Sequence, residues 1–329
     1  MTFRFNNVYL NNASVVAGRL ENNGPLSRYF DKTYDDYYMD EKTVEMAEVR
    51  MQKDSLNILF DKINKKKELI DLIIGGDLTN QISATSYAVN SYNIPFLGIY
   101  SACTTSMEAL IIGSSLIDSG KINNSICITS SHNLAQEKQF RYPIEYGGPK
   151  PLTSTFTTTG AVSAFISNQK SKVKITSGTI GKIVDMGCKD PNNMGACMAP
   201  AAADTIAKHL KDMNRDVSFY GLILTGDLGI YGKEILKDYI MHEYHIGLED
   251  NYNDCGVMLY DDNEKEIPAG GSGCACSALV NFGYVFDKLK KKELKKVLLV
   301  TTGALFNPIF NFQKENILGI AHAVSLEVE

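Results

Sequence analysis

No run of about 18 apolar residues, the least that could span a bilayer, occurs in the sequence. The N-terminus, MTFRFNNVYLNNASVV, also lacks the charged-then-apolar pattern of a secretory signal. Any membrane association is therefore expected to be peripheral, by a protein on the cytoplasmic side. Long blocks of single-sign charge are missing too: 33 Lys and Arg stand against 38 Asp and Glu, a net charge of −5. That balance argues against a nucleic-acid partner. The seven cysteines are odd in number and scattered, which does not suit a disulfide framework and does suit a reducing compartment. What the chain does have is a 44% hydrophobic content over 329 residues. This is enough to bury a large core in one big domain or two of ordinary size.

Short runs rich in Ile, Leu and Val alternate with amphipathic stretches, the pattern of an α/β protein whose sheet is covered by helices. The same unit occurs twice. DLIIGGD, ending at Asp77, and GLILTGD, ending at Asp227, each read as a buried strand and the turn after it. Each is preceded by a helical stretch, from Thr43 to Asn64 and from Ala202 to Asn214. Further on, Ser101-Ala-Cys-Thr-Thr-Ser106 matches Ser272-Gly-Cys-Ala-Cys-Ser277, and ICITSS from Ile126 matches VLLVTT from Val297. Repeats this long imply two similar halves packed as one body, residues 1–171 and 172–329. The halves differ by insertions. The second carries an extra segment with Asp254-Cys255-Gly256, and the first carries residues 132–160, too long for a simple connection and suited to binding or subunit contact.

Cys103 falls where a strand turns into a helix. The helix dipole and free backbone N–H groups at that point favour a thiolate, and equally a bound carboxylate. A buried cysteine is usually a small core residue, but a strand-turn-helix elbow is also how enzymes expose a nucleophile. Asp77 reads either as a helix cap or as a pocket residue. Asp227 is its duplicate, so at least one of the two is expected to be structural. Of the five histidines, His209, His242 and His245 lie in polar helical stretches and are expected to face solvent. His132 follows a strand and could line a pocket, and His322 enters the last strand. Lys288, Lys290, Lys291, Lys292, Lys295 and Lys296 cluster at a helix end, a solvated face by default and a contact for an anionic membrane as the sharper alternative.

With the duplicated halves and the elbow, the whole chain resembles the thiolase and ketoacyl-synthase superfamily. The resemblance implies a five-layered α/β/α/β/α fold with pseudo-twofold halves, usually dimeric. In the ketoacyl-synthase branch that starts fatty-acid chains, a first-half Cys works with a His and an Asn from the second half. Cys103 matches the nucleophile. The His would fall in the turn Thr225-Gly-Asp-Leu-Gly and the Asn where Ser272 stands, so both partners are missing.

The chain more closely resembles a noncatalytic branch of that superfamily, the stage V sporulation AD family of spore-forming bacteria. The motifs that carry the likeness are PLSRYFDKTYDD, GDLTNQ, SACTTSME, SSHN, FRYPIEYGG, MAPAAADTI, LILTGDLG, DCG and AGGSGCACSA. The resemblance implies a protein without turnover that binds dipicolinic acid, pyridine-2,6-dicarboxylate, alone or with calcium. It further implies a role in uptake into the developing spore, beside membrane proteins of the same operon at the spore inner membrane. A homodimer with no cofactor and no metal ligands is expected. The ligand-binding residues would be Asp77, Cys103 and Cys255, with His132, Asp227, Asp254, Ser272 and Cys274 as further pocket lining. An ionised Asp77 beside a dianion would repel it unless protonated, bonded elsewhere or bridged by a cation. Two other readings stand beside this one: a condensing enzyme using Cys103 with His132 or His322 as base, and a scaffold whose pocket is a relic.

Overall fold

The computed structural model describes residues 1–140, 150–261 and 266–328. Its first set of strands is β1 (Thr2–Arg4), β2 (Tyr9–Ala17), β3 (Lys32–Thr33), β4 (Ile73–Gly76), β5 (Phe96–Gly98), β6 (Asn124–Ser131), β7 (Phe156–Thr157) and β8 (Gly160–Ser167). The second is β9 (Val173–Ile180), β10 (Leu222–Thr225), β11 (Tyr252–Asp254), β12 (Gly271–Ser272), β13 (Lys296–Leu305) and β14 (Leu318–Val328). The main sheet runs β11-β10-β13-β14-β9-β2-β8-β6-β4-β5. Either side of the β9–β2 seam repeats one plan. The DLIIGG and LILT runs form β4 and β10, each parallel to both neighbours. β8 and β14 are each antiparallel to both of theirs. All four β4 residues are buried, as a strand covered by helices on both faces should be.

The helices are α1 (Arg19–Asn22), α2 (Val44–Ile63), α3 (Ser83–Val89), α4 (Thr105–Asp118), α5 (Asn133–Phe140), α6 (Met194–Met213), α7 (Gly229–Tyr244), α8 (Cys255–Met258), α9 (Cys274–Leu279), α10 (Phe286–Lys290) and α11 (Pro308–Phe312). α2 and α3 cover the outer face of the first sheet half, and α6 and α7 that of the second. α4 touches strands of both halves and packs with α9 between them, which completes five layers. α4 is apolar on nearly every side, with Met107, Leu110, Ile111 and Ile117 buried, because it has sheet above and below. The two matching outer helices also stop alike: α2 ends on Asn64 at φ 48° and α6 on Asn214 at φ 53°, left-handed caps that asparagine tolerates.

Two expectations are corrected. Cys188 and Cys197 are joined as a disulfide, while Cys103, Cys127, Cys255, Cys274 and Cys276 are free and buried. His209 does not face solvent. It lies on the sheet side of α6 with Nδ1 at 2.8 Å from the Thr179 hydroxyl and Nε2 at 2.6 Å from the Tyr220 hydroxyl. Burial, then the nearby Arg215, lowers its pKa to about 4. Its spacing from Ile206 and Met213 puts it on the buried stripe despite its polar neighbours. His242 and His245 are exposed. The first-half insertion begins with α5 and returns as β7, which pairs in parallel with β12, Phe156 with Gly271 and Thr157 with Ser272. Residues 141–149 of that insertion, with most of the FRYPIEYGG motif, lie outside the described residues.

Candidate functional site

The two central helices bring their N-termini together, and the pocket lies there. Ahead of α4, Ala102 takes φ 49°, a left-handed conformation unusual for alanine and typical of a tight functional elbow. The elbow is locked by the Thr105 hydroxyl, which donates to Ala102 O at 2.7 Å and accepts from Ser101 N at 3.1 Å. Ahead of α9, Gly273 sits at φ 95°, where an added Cβ would lie 2.9 Å from the Ser131 hydroxyl. Only glycine fits there. The pocket's polar lining comes from Cys103, Ser272, Gly273, Thr157, Gln136 and Glu137, and its apolar lining from Leu78, Tyr100, Ala102, Phe140, Met194, Ala304 and Phe306. The Phe140 and Phe306 rings meet with centroids 6.0 Å apart.

Asp227 stands directly behind Ser272 and Gly273 of the wall. One carboxylate oxygen accepts from the Ser272 hydroxyl at 2.8 Å and Gly273 N at 3.2 Å, and the other accepts from the Thr302 hydroxyl at 2.6 Å. The Cys103 thiol lies close enough to feel its charge. Burial raises the Asp227 pKa to about 6, against the lowering effect of these donors. Cys103 is pushed well above the ordinary thiol value, first by burial and then by the charge of Asp227. Of the two species a helix N-terminus can favour, a thiolate or a bound carboxylate, these surroundings oppose the thiolate.

The duplicate carboxylate faces the other way. Asp77 is fully buried, and its oxygens accept from Thr79 N and from Thr85 N, both at 2.7 Å, and from both threonine hydroxyls. It closes the turn into α3 and does not line the pocket. In the second half that capping falls to Asp254, whose oxygens accept from Leu228 N, Gly229 N and Gly256 N, each at 3.0 Å, and from the Thr225 hydroxyl at 2.7 Å. With α7 capped from another strand, Asp227 is free to turn toward Cys103.

The remaining expected residues sit behind the wall. Cys255 is fully buried, its sulfur 3.7 Å from Asn281 Oδ1. Cys274 donates to Ala102 O at 3.0 Å and braces the elbow. The Nε2 of His132 lies 2.8 Å from Tyr37 O. His322 accepts from Gly181 N through Nδ1 at 3.2 Å, so its Nε2 carries the proton toward the Ser101 hydroxyl at 3.2 Å; burial lowers its pKa to about 4. The lysine cluster is partly neutralised, with Lys291 on Asp287 at 2.7 Å and Lys288 on Glu293.

Sequence reasoning missed the insertion's share of the wall, Gln136, Glu137 and Phe140. It also missed a buried acid behind it. Glu48 accepts from the Ser130 hydroxyl at 2.7 Å and from Gln136 Nε2 at 3.2 Å. Its pKa is raised to about 8, by burial and then by Asp77. The available signal was a run of polar residues, Glu48, Gln52 and Ser55, on the same helix face as buried Met51 and Leu59.

Comparison with known proteins follows this geometry. The model of the family described as stage V sporulation protein AD matches residues 1–327. Stage V sporulation protein AD of Bacillus subtilis (strain 168) is 45% identical over 321 residues, covering 97% of this chain and 94% of that protein. Among solved structures, 3-oxoacyl-[acyl-carrier-protein] synthase III from Aquifex aeolicus superposes with a TM-score of 0.57 at 12% identity, covering 97% of this chain and 99% of that one. The dimeric peroxisomal thiolase of Saccharomyces cerevisiae gives 0.59 at 12% identity, covering 98% of each chain. At that identity the structures establish the thiolase-like fold alone.

Proposed function

This chain belongs to the stage V sporulation protein AD family, and from that premise we propose that it binds dipicolinate without chemical turnover. One observation carries the reading: behind the pocket wall that holds Cys103 stands a buried carboxylate, Asp227, held by Ser272, Gly273 and Thr302. A condensing enzyme needs a base that takes the thiol proton and a donor that stabilises the developing oxyanion. A carboxylate in the base's place raises the thiol pKa instead, and Ser272 spends its hydrogen on Asp227. Of the alternative bases, His322 has both ring nitrogens engaged, by Gly181 N and the Ser101 hydroxyl, and His132 is buried behind the wall with Nε2 on Tyr37 O rather than lining the pocket. The pocket's apolar side chains suit the face of a flat aromatic ring, and its polar groups suit an acidic edge.

Among the described residues lining the pocket there is no lysine, arginine or histidine. A dicarboxylate would therefore enter with its charge compensated, by a proton or by calcium carried on the ligand. In this reading calcium travels on the ligand; among the described residues no group of three His, Cys, Asp or Glu side chains is placed to hold a metal ion. Uptake into the developing spore would place the protein against membrane partners of the same operon. Among the described residues no helix is long and apolar enough to cross a membrane. A second copy would pair at β5, which ends the sheet and leaves Leu97, Tyr100 and Tyr87 exposed.

Isothermal titration with dipicolinate, with and without calcium, tests the reading beside mass analysis of protein incubated with an acyl-thioester. Saturable binding and an unmodified Cys103 are expected. An acyl group on Cys103 without dipicolinate binding would overturn the proposal in favour of the condensing enzyme; neither signal would leave the scaffold.

A further inference from the structure

The Cys188–Cys197 disulfide lies beside the pocket mouth. Its Cα atoms are 5.5 Å apart and its cysteines nine positions apart in sequence. Cys197 is buried in α6, one turn beyond Met194 of the pocket wall, whereas Cys188 is half-buried in the connection that leads from β9. That connection is bound to the strap between β13 and β14. Ile317 N donates to Cys188 O at 2.7 Å, Asn311 Nδ2 to Lys189 O at 3.1 Å, and Asn316 Nδ2 to Asp185 at 3.0 Å. The same strap carries Phe306 of the pocket wall. The disulfide thus fixes the connection to α6, which supplies Met194, and the connection's hydrogen bonds run on to the strap that supplies Phe306.

We propose that Cys188–Cys197 is a reversible redox site whose oxidised form holds the pocket mouth in its binding shape, a regulation that rests on the binding function proposed above. Thiol–disulfide exchange needs a sulfur that a small reagent can reach, and Cys188 supplies it. The oxidant is a low-molecular-weight disulfide. The deprotonated Cys188 attacks one of its sulfurs, the small molecule's S–S bond breaks, and one thiolate leaves. Cys197 gives its proton to solvent, attacks the Cys188 sulfur of the mixed disulfide and displaces the second small thiol. Two electrons have passed from the protein to the reagent, which ends as two thiols; excess thiol drives the reverse. A short closed loop of this kind gains its order chiefly by limiting the open chain. Reduction therefore frees Cys188 from α6 and leaves the β9–α6 connection positioned by its hydrogen bonds to the strap.

The full chain is poised in glutathione and glutathione-disulfide mixtures, quenched with a thiol label and mass-analysed at the Cys188 and Cys197 peptides. Dipicolinate affinity, and hydrogen exchange across residues 181–197 and 305–317, are then measured on oxidised, reduced and Cys188→Ser protein. The two cysteines should lose label together, and reduction should weaken binding by about threefold or more and speed exchange in both segments. Cys188→Ser should behave as the reduced protein in every mixture. Full labelling of both cysteines in the most oxidising mixture, or equal exchange and affinity in the two states, overturns the inference. Should neither state bind dipicolinate, the proposed function fails separately, and exchange alone decides whether the redox site exists.

Discussion

Replacing Asp227 by asparagine should make Cys103 more reactive. The carboxylate and the thiol are buried together, and the charge of Asp227 raises the thiol pKa. At a separation of about 4 Å and an effective dielectric near 20, its charge opposes the thiolate by up to about 4 kcal/mol. Asp227, whose pKa is raised to about 6, is ionised at pH 8, so asparagine should lower the Cys103 pKa by removing that charge. The gain in thiolate fraction outweighs the loss of intrinsic nucleophilicity, and the labelling rate should rise about tenfold or more. The assay is the rate of iodoacetamide labelling of the Cys103 peptide, with Cys103→Ala as the site control and thermal melting to show that the fold is kept. Asparagine can still accept from one hydroxyl donor, so the pocket should survive. An unchanged or slower rate in Asp227→Asn would refute the claim that this carboxylate holds the thiol proton in place.

Asp77→Ala should cost about 0.5–2 kcal/mol in urea unfolding, the range for a lost helix cap, yet change dipicolinate affinity little in titration; a large loss of affinity in folded protein would place Asp77 in the site after all. Glu48 has a folded pKa raised to about 8 from a usual 4.5, so its contribution is fully present below the unfolded value and is lost as pH rises toward 8. Melting temperature should fall across that window, by the equivalent of about 3 kcal/mol at pH 7, and Glu48→Gln should flatten the fall; an equally steep profile in the variant would count against it. Leu110→Ala, in a helix with sheet on both sides, should destabilise by about 2–5 kcal/mol in the same unfolding assay, and a cost below about 1 kcal/mol would show that α4 is loosely packed.

The duplicated plan was legible because strands buried on both faces and the helices beside them keep a recognisable pattern of Ile, Leu and Val. The division of labour between the copies was not. Asp77 and Asp227 stand in nearly identical sequence, and what separates them is Asp254, a residue brought in from the second-half insertion to cap α7. A cap supplied from a distant strand leaves no local spacing to read. Cys103 was recognisable as an elbow residue, but its protonation follows from a carboxylate far along the chain, outside any local dipole estimate. The Cys188–Cys197 pair was hidden because proximity, not count, decides which cysteines join. His209 and Glu48 were misjudged or missed because polar type outweighed position on a helix face in the reading of those stretches.

The β9–β2 seam has a mechanical consequence. Backbone hydrogen bonds cross it, with Tyr9 opposite Lys174 and Leu10 opposite Val173, and α4 is wedged against strands on both sides. The halves cannot swing apart like the jaws of a clamshell receptor without tearing a sheet and emptying a core. Cargo must therefore slip in past side chains at the rim, and loading should leave the molecule's radius of gyration, as read by X-ray scattering, unaltered.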